Sequence, residues 1–292
     1  MRELLLRGLL RFAALLPLPV IHWLGAGFGR FAAARRGRLW RNSLTNLALC
    51  YPDRDSRWRH QLARRSLIET GKSLLECGPF WYWPRARLER LVRAVHGQAL
   101  VDAALAEGRG MLLAAPHMSA WELANFYGCT RWPMTILYKP SRLAGLDELI
   151  RGARERFGAR LVPTDSAGVR ALYKALERGE VVGMLPDQEP GETSGVFADF
   201  FGTPASTMVL LNKLARKHRV PVIFAVMRRL PRGAGFELHF LRAGDRVYDA
   251  DPEVAAGEVN ACVERCIALA PEQYMWNYKR FRRLPGGGRR RY

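Results

Sequence analysis

An α/β fold is predicted for these 292 residues: a mixed, largely parallel central sheet flanked by helices, with a helical N-terminal segment ahead of it. Three patterns predict it. After Gly97, short apolar runs of strand length alternate with stretches of helical spacing, the imprint that βαβ units leave in a sequence. Before Gly97, apolar residues recur at helical spacing instead. Near its start the chain also carries a stretch, Phe12 to Gly29, without a formal charge, ahead of an Arg cluster.

That stretch is eighteen residues long and contains Pro17, Pro19 and His22, a marginal length for crossing a bilayer. It lacks a small-residue cleavage site and runs into arginines, so a cleavable signal peptide fits poorly. Residues 1–34 are read as a membrane-associating segment, either one short span or an interfacial helix, with its Arg cluster on the cytoplasmic face. An amphipathic soluble helix pair is the alternative. Residues 35–96 form a helical region, with Leu62, Leu67, Ile68, Leu74 and Leu75 on one helix from about Arg57 to Glu76 that Gly78-Pro79 should stop.

Residues 97–284 form the α/β domain. Strands are expected at Gly110–Ala115, Met134–Tyr138, Arg160–Val162, Val181–Leu185, Val220–Met227 and Gly235–Leu241, and helices at Asp147–Phe157, Ala167–Arg178, Ala205–Lys217 and Pro252–Leu269. Residues 285–292 are a basic tail, its low-complexity part Gly286–Arg291 expected to fray.

The 46 basic residues outnumber 27 acidic ones for a net charge of +19, and only six of the 46 are Lys. Twelve of those nineteen excess charges lie in two acid-free segments, Arg30–Arg41 and Lys279–Arg291. Such a surface suits an anionic partner. Nucleic acid is not that partner on this reading: zinc-finger spacing, an RNP-like aromatic strand and a basic region feeding heptads are all missing. The five cysteines, Cys50, Cys77, Cys129, Cys262 and Cys266, are odd in number and widely spread, which fits a reducing compartment.

The chemistry concentrates in Met111-Leu-Leu-Ala-Ala-Pro-His117-Met-Ser-Ala-Trp-Glu122, an apolar strand running into a His followed five positions later by a Glu. A strand end that opens into a helix is where α/β folds place ligand-binding groups. On one continuous helix the two side chains would sit about 140° apart. With the helix starting near Ser119, His117 lies in the turn as a general base, and Glu122 can hold its other ring nitrogen. Ser119-Ala-Trp-Glu122 also reads as a capping box, which gives Glu122 a structural role instead. No second His stands at the spacing a zinc-binding helix needs, so neither a metal nor another cofactor is expected.

The segment Ala-Pro-His117-Met-Ser-Ala-Trp-Glu122-Leu resembles the His-x4-(Asp/Glu) signature of glycerolipid and lipid A acyltransferases. Three further segments make the likeness specific: Arg38-Leu-Trp-Arg-Asn42 with Asn46 to Pro52; Met184-Leu-Pro-Asp187-Gln188-Glu-Pro-Gly191 with Val196 to Gly202; and Ala270 to Phe281. In that order and over nearly the whole chain, they are similar to stretches of the bacterial lipid A late acyltransferases, the lauroyl/myristoyl transferase family.

The resemblance implies an inner-membrane enzyme of lipopolysaccharide biosynthesis with its active site facing the cytoplasm. It would move an acyl chain from acyl carrier protein to a hydroxyl of a Kdo-bearing lipid A precursor. An acidic carrier protein, an anionic acceptor and an anionic membrane surface all suit the charge. The same His/Glu chemistry would serve another phosphorylated glycolipid, such as a phosphatidylinositol mannoside. His117 and Glu122 take the catalytic roles. Arg154, with Arg151 and Arg156 as competing counterparts, and Asp187 take substrate-binding roles, the Arg for an acceptor phosphate or the oxyanion. Glu189-Pro190 and the two N-terminal prolines depart from the family pattern.

Other residues have packing readings beside functional ones. Phe197, Phe200 and Phe201 suit a core better than an acyl tunnel, and Cys262 and Cys266 read as buried thiols. The cluster Phe80, Trp81, Tyr82 and Trp83 suits either a membrane interface or domain packing.

Overall fold

A computed structural model describes residues 2–141, 143–287 and 291–292. A helical block opens the chain: α1 (Arg2–Leu15), α2 (Leu18–Ala34), α3 (Arg38–Cys50), α4 (Ser56–Tyr82) and the short α5 (Arg85–Glu89). The α/β part follows with β1 (Val92–His96), α6 (Gln98–Ala106), β2 (Met111–Ala114), α7 (Trp121–Cys129), β3 (Met134–Tyr138), α8 (Ala144–Glu155), β4 (Ala159–Pro163), α9 (Ser166–Glu177) and β5 (Val181–Met184). A hairpin of β6 (Gly195–Phe200) and β7 (Thr203–Met208) precedes α10 (Leu210–His218), β8 (Val222–Arg229), β9 (Phe236–Arg242) and α11 (Pro252–Leu269).

The central sheet has the order β1-β9-β8-β2-β5-β3-β4, and every pairing is parallel except β8 with β9. Both of its faces are buried. Leu112, Ala114, Val182, Met184 and Phe224 join the core on one side, while Met111, Leu113, Val181, Ile223 and Ala225 join that on the other. A strand covered by helices on both faces needs continuous rather than alternating apolar sequence, which explains the run Met111 to Ala115.

The N-terminal stretch departs from a single span. Pro17 separates α1 from α2, because its ring removes one backbone donor and disfavours helical geometry in the residue before it. Among the described residues no helix is long and apolar enough to cross a membrane. Both helices lie along α4. At the α2–α4 crossing a Cβ on Gly25 would stand 2.6 Å from Lys72 Cα, and one on Gly29 2.3 Å from the Leu67 oxygen. Only glycine permits that backbone contact.

The stop expected at Gly78-Pro79 does not occur, since α4 continues to Tyr82. Pro79 withholds one N–H from the ladder. Beyond it Trp83 donates its N–H to the Pro79 oxygen at 2.8 Å and its indole N–H to the Ala14 oxygen at 2.6 Å, so packing against α1 carries the helix through. The aromatic cluster there packs, with Phe80 and Trp83 buried. β1 is an unexpected strand that joins the sheet from within the region expected to be helical, and the β7 residues Ala205–Met208 are a strand where a helix is expected, α10 beginning only at Leu210. Phe200 is core.

Candidate active site

β2 and β5 are parallel neighbours with Ala114 opposite Met184. The ladder runs one step further, where Ala115 N–H donates to the Met184 oxygen at 3.0 Å. His117 and Asp187 each lie three residues past that registered pair. Adjacent parallel strands therefore deliver both to the carboxyl edge of the sheet, where α/β folds build their sites.

Asp187 is 3% exposed and both of its oxygens face His117. Oδ1 lies 2.7 Å from His117 Nδ1, and Oδ2 accepts the His117 backbone N–H at 2.8 Å. Burial alone would raise this carboxyl, but the imidazole and its hydrogen bonds outweigh burial and hold it below the usual carboxylate range. An ionised carboxylate on Nδ1 assigns the proton to that nitrogen. Nε2 then carries the lone pair. The imidazole is 20% exposed, with the Trp121 ring 5.7 Å away. Tyr274, buried against Asp187, has its hydroxyl pushed well above the ordinary range, by burial first and by the carboxylate second.

This geometry corrects one expectation. Asp187, not Glu122, holds the His117 ring. Glu122 lies in the first turn of α7 and meets Arg154 of α8 instead, through Arg154 Nε–H to Oε2 at 3.1 Å and a second bond from Nη2 to Oε1. Burial raises the Glu122 carboxyl, and the paired guanidinium overrides it, leaving the group lowered. Of the three candidate arginines, Arg151 pairs with Glu155 on the surface and Arg156 donates to the Phe80 and Trp83 carbonyls. Arg154 alone among them enters the site. Phe80, Trp81, Phe126, Cys129 and Phe157 wall the small cavity around this ion pair.

The capping box does not form either. Ala120 is the N-cap of α7, and the Ser119 hydroxyl is buried without a partner. Ser119 instead takes a left-handed φ of +50°, a conformation that costs a non-glycine residue free energy unless its surroundings impose it. They do: Ser119 N–H donates to the Gln273 oxygen at 2.8 Å, and the Ser119 carbonyl accepts the Ser73 hydroxyl at 3.0 Å.

Ser73 belongs to a buried hub on α4. Arg229, at the end of β8, grips Glu76 through Nε and Nη2, Glu69 through Nη1 at 2.6 Å and Ser73 Oγ at 2.8 Å. His22 of α2 reaches Glu76 at 2.6 Å. Burial would raise Glu76; Arg229 foremost, with His22, brings it down to about 2. The hub thus ties the N-terminal helices to the turn that carries His117. Nothing in the spacing of Ser73 or Arg229 signals this, because their partners are over 40 residues distant in the chain.

Cys262 and Cys266 are buried on α11, and burial pushes the Cys262 thiol up to about 12. No group of three metal-ligating side chains includes His117 among the described residues.

Residues 3–283 match the model of the bacterial lipid A biosynthesis acyltransferases. The chain is 32% identical to the lipid A biosynthesis lauroyltransferase of Escherichia coli K12, over 98% of its own length and 92% of the relative's. It is 28% identical to the palmitoleoyltransferase of the same organism, over 96% and 90%, and 23% identical to its myristoyltransferase, over 92% and 82%. With the family model spanning nearly the whole chain and a relative above 30% identity aligned end to end, this protein belongs to the bacterial lipid A biosynthesis acyltransferase family.

Proposed function

We propose that the protein transfers a fatty acyl chain from acyl carrier protein to a hydroxyl of a Kdo-bearing lipid A precursor, with His117 as general base. The observation that carries this is the His117–Asp187 pair at the carboxyl edge of the sheet. The acceptor hydroxyl gives its proton to His117 Nε2 as its oxygen attacks the thioester carbonyl. A C–O bond forms, the tetrahedral intermediate collapses, and the C–S bond breaks. The departing thiolate takes the proton back from the imidazolium, which Asp187 has stabilised. No acyl-enzyme intermediate is required. Arg154, held by Glu122 in the first turn of the helix that follows His117, supplies a guanidinium that suits a developing oxyanion or an acceptor phosphate.

Membrane contact is proposed for the outer faces of α1 and α2. Leu5, Phe12, Leu15, Trp23, Phe28 and Phe31 are each more than half exposed. The exposed Arg30, Arg35, Arg36, Arg38 and Arg41 follow directly. Apolar side chains beside an arginine cluster favour an in-plane interfacial seat on an anionic leaflet. On this reading the inner membrane, cytoplasmic side, is the working surface.

The test is a mass-spectrometric acyl-transfer assay in detergent. Acyl carrier protein loaded with several chain lengths is offered to a tetra-acylated lipid A precursor with and without Kdo, using wild type and His117→Ala. One added acyl mass, dependent on Kdo and lost in the variant, is expected. Transfer to the Kdo-free acceptor at equal rate would remove Kdo from the proposal, and undiminished transfer by His117→Ala would remove the base.

A further inference from the structure

We propose that His96, Glu237 and His239 form a binding site for a divalent transition metal of the zinc class, on the solvent side of the sheet edge and separate from the acyl-transfer site. β1 is the edge strand, and its register with β9 sets His96 opposite His239. Glu237 precedes His239 by two residues and so shares its face. The intervening Phe236, Leu238 and Phe240 are buried in the core, which turns the three polar side chains outward.

The ligand atoms converge. His239 Nε2 lies 3.6 Å and His96 Nε2 3.9 Å from Glu237 Oε2, and all three ligand atoms fall within 4.8 Å of one another. Zinc holds its ligands at about 2.0–2.2 Å, which places tetrahedral neighbours about 3.3–3.5 Å apart. The two separations from Glu237 need to close by a few tenths of an ångström, and the His96 and His239 rings, stacked with centroids 4.4 Å apart, must turn about their side-chain torsions to aim both lone pairs at one ion. A second observation points the same way: His239 Nε2 is buried and has no hydrogen-bond partner. A buried imidazole nitrogen with no hydrogen-bond partner, 3.6 Å from a carboxylate oxygen, has the placement of a metal ligand.

Two nitrogens and one oxygen select borderline cations over Mg2+ or Ca2+, which prefer all-oxygen shells. His96 is about half exposed at its side chain, so the fourth position opens to water. One group opposes the ion. Arg228, the register partner of Glu237 on β8, bonds the same Oε2. An incoming cation must share or displace that contact, and the sign of an Arg228 substitution follows from it. Bound, the ion would clip the edge strand to its neighbour and stabilise the folded chain by mass action.

The whole chain, stripped with chelator, is titrated with Zn2+ by calorimetry and with Co2+ by visible absorption, for wild type, His96→Ala, His239→Ala and Arg228→Gln. Circular dichroism confirms that each variant is folded. One equivalent bound, a melting temperature that rises with Zn2+, affinity lowered about tenfold or more in either histidine variant and raised in Arg228→Gln are expected. Binding unchanged in both histidine variants would place the metal elsewhere, and no binding by wild type or Arg228→Gln would overturn the proposal.

Discussion

Two carboxylates stand beside His117, and they serve opposite neighbours. In the turn beyond β2 and β5, Asp187 gives both oxygens to the imidazole and its backbone amide. In the adjoining pocket between α7 and α8, Glu122 gives both oxygens to Arg154. Each is buried and each is kept ionised by the cationic or polarisable group it faces. The difference lies in what the partner can do. An imidazole with its Nδ1 proton held is a base at Nε2, whereas a guanidinium held by a carboxylate remains a fixed positive charge. Strand register therefore builds the His117–Asp187 pair, the proton-transfer half of the proposed mechanism, and helix packing builds the Glu122–Arg154 pair, its electrostatic half.

That division makes the largest expected effect His117→Ala, a loss of about 10²–10⁴ in turnover, accompanied by a lowered melting temperature because Asp187 is left buried without the imidazole that holds it ionised. Asp187→Asn, which disturbs the tautomer and leaves the ring in place, should follow with a loss of about 10² or more. Steady-state kinetics on both variants and on Glu122→Gln would break the comparison if Glu122→Gln proved the more damaging to kcat at matched folding.

Next in size is stability. Glu122→Gln leaves Arg154 buried and uncompensated, and should cost about 3 kcal/mol in urea unfolding. The double variant Glu122→Gln/Arg154→Met should regain most of that. Recovered stability without recovered turnover assigns the pair to the chemistry, while recovery of both assigns it to the scaffold.

A smaller effect is expected from Ser73→Ala, which removes the hydroxyl that holds the Ser119 carbonyl. It should lower stability by about 1 kcal/mol and kcat by up to about tenfold, with the acceptor KM unchanged. A raised KM and normal kcat would detach the hub from the His117 turn.

The most gradual effect is in acid. Glu76, Asp187 and Glu122 all ionise below their ordinary values in the folded chain. Such groups add stability that is full above their unfolded values and is lost as pH falls through the folded ones. For Glu76 that window runs from 4.5 down to about 2. Unfolding free energy measured across it should fall steadily, and a flat profile would contradict the ion pairing.

Much of the α/β part was legible in the sequence. Met134–Tyr138 and Pro252–Leu269 coincide with β3 and α11, and the other expected strands overlap β2, β4, β5, β8 and β9. Their apolar runs are long enough, and bounded by turn residues, to report burial directly. The hairpin β6–β7 was less visible, because Thr203-Pro-Ala-Ser-Thr carries little apolar pattern. Pro79 misled for a related reason, since a proline's local penalty says nothing of the neighbours that offset it. The seat of Tyr292 was hidden too: its hydroxyl donates to Asn46 and accepts the Phe281 N–H, while residues 288–290 of the tail expected to fray lie outside the described residues.

By itself the sequence determined the family, the fold class and the basic character, and it singled out His117 as the residue on which the proposed mechanism turns. These rest on local pattern and on residue types in order. The pairing of Asp187 with His117, of Glu122 with Arg154 and of Ser73 with Ser119 was decided only by the tertiary structure. Sequence spacing fixes where a side chain leaves the backbone, but a hydrogen bond needs two groups within about 3 Å. For residues dozens of positions apart, sheet register and helix packing alone set that distance.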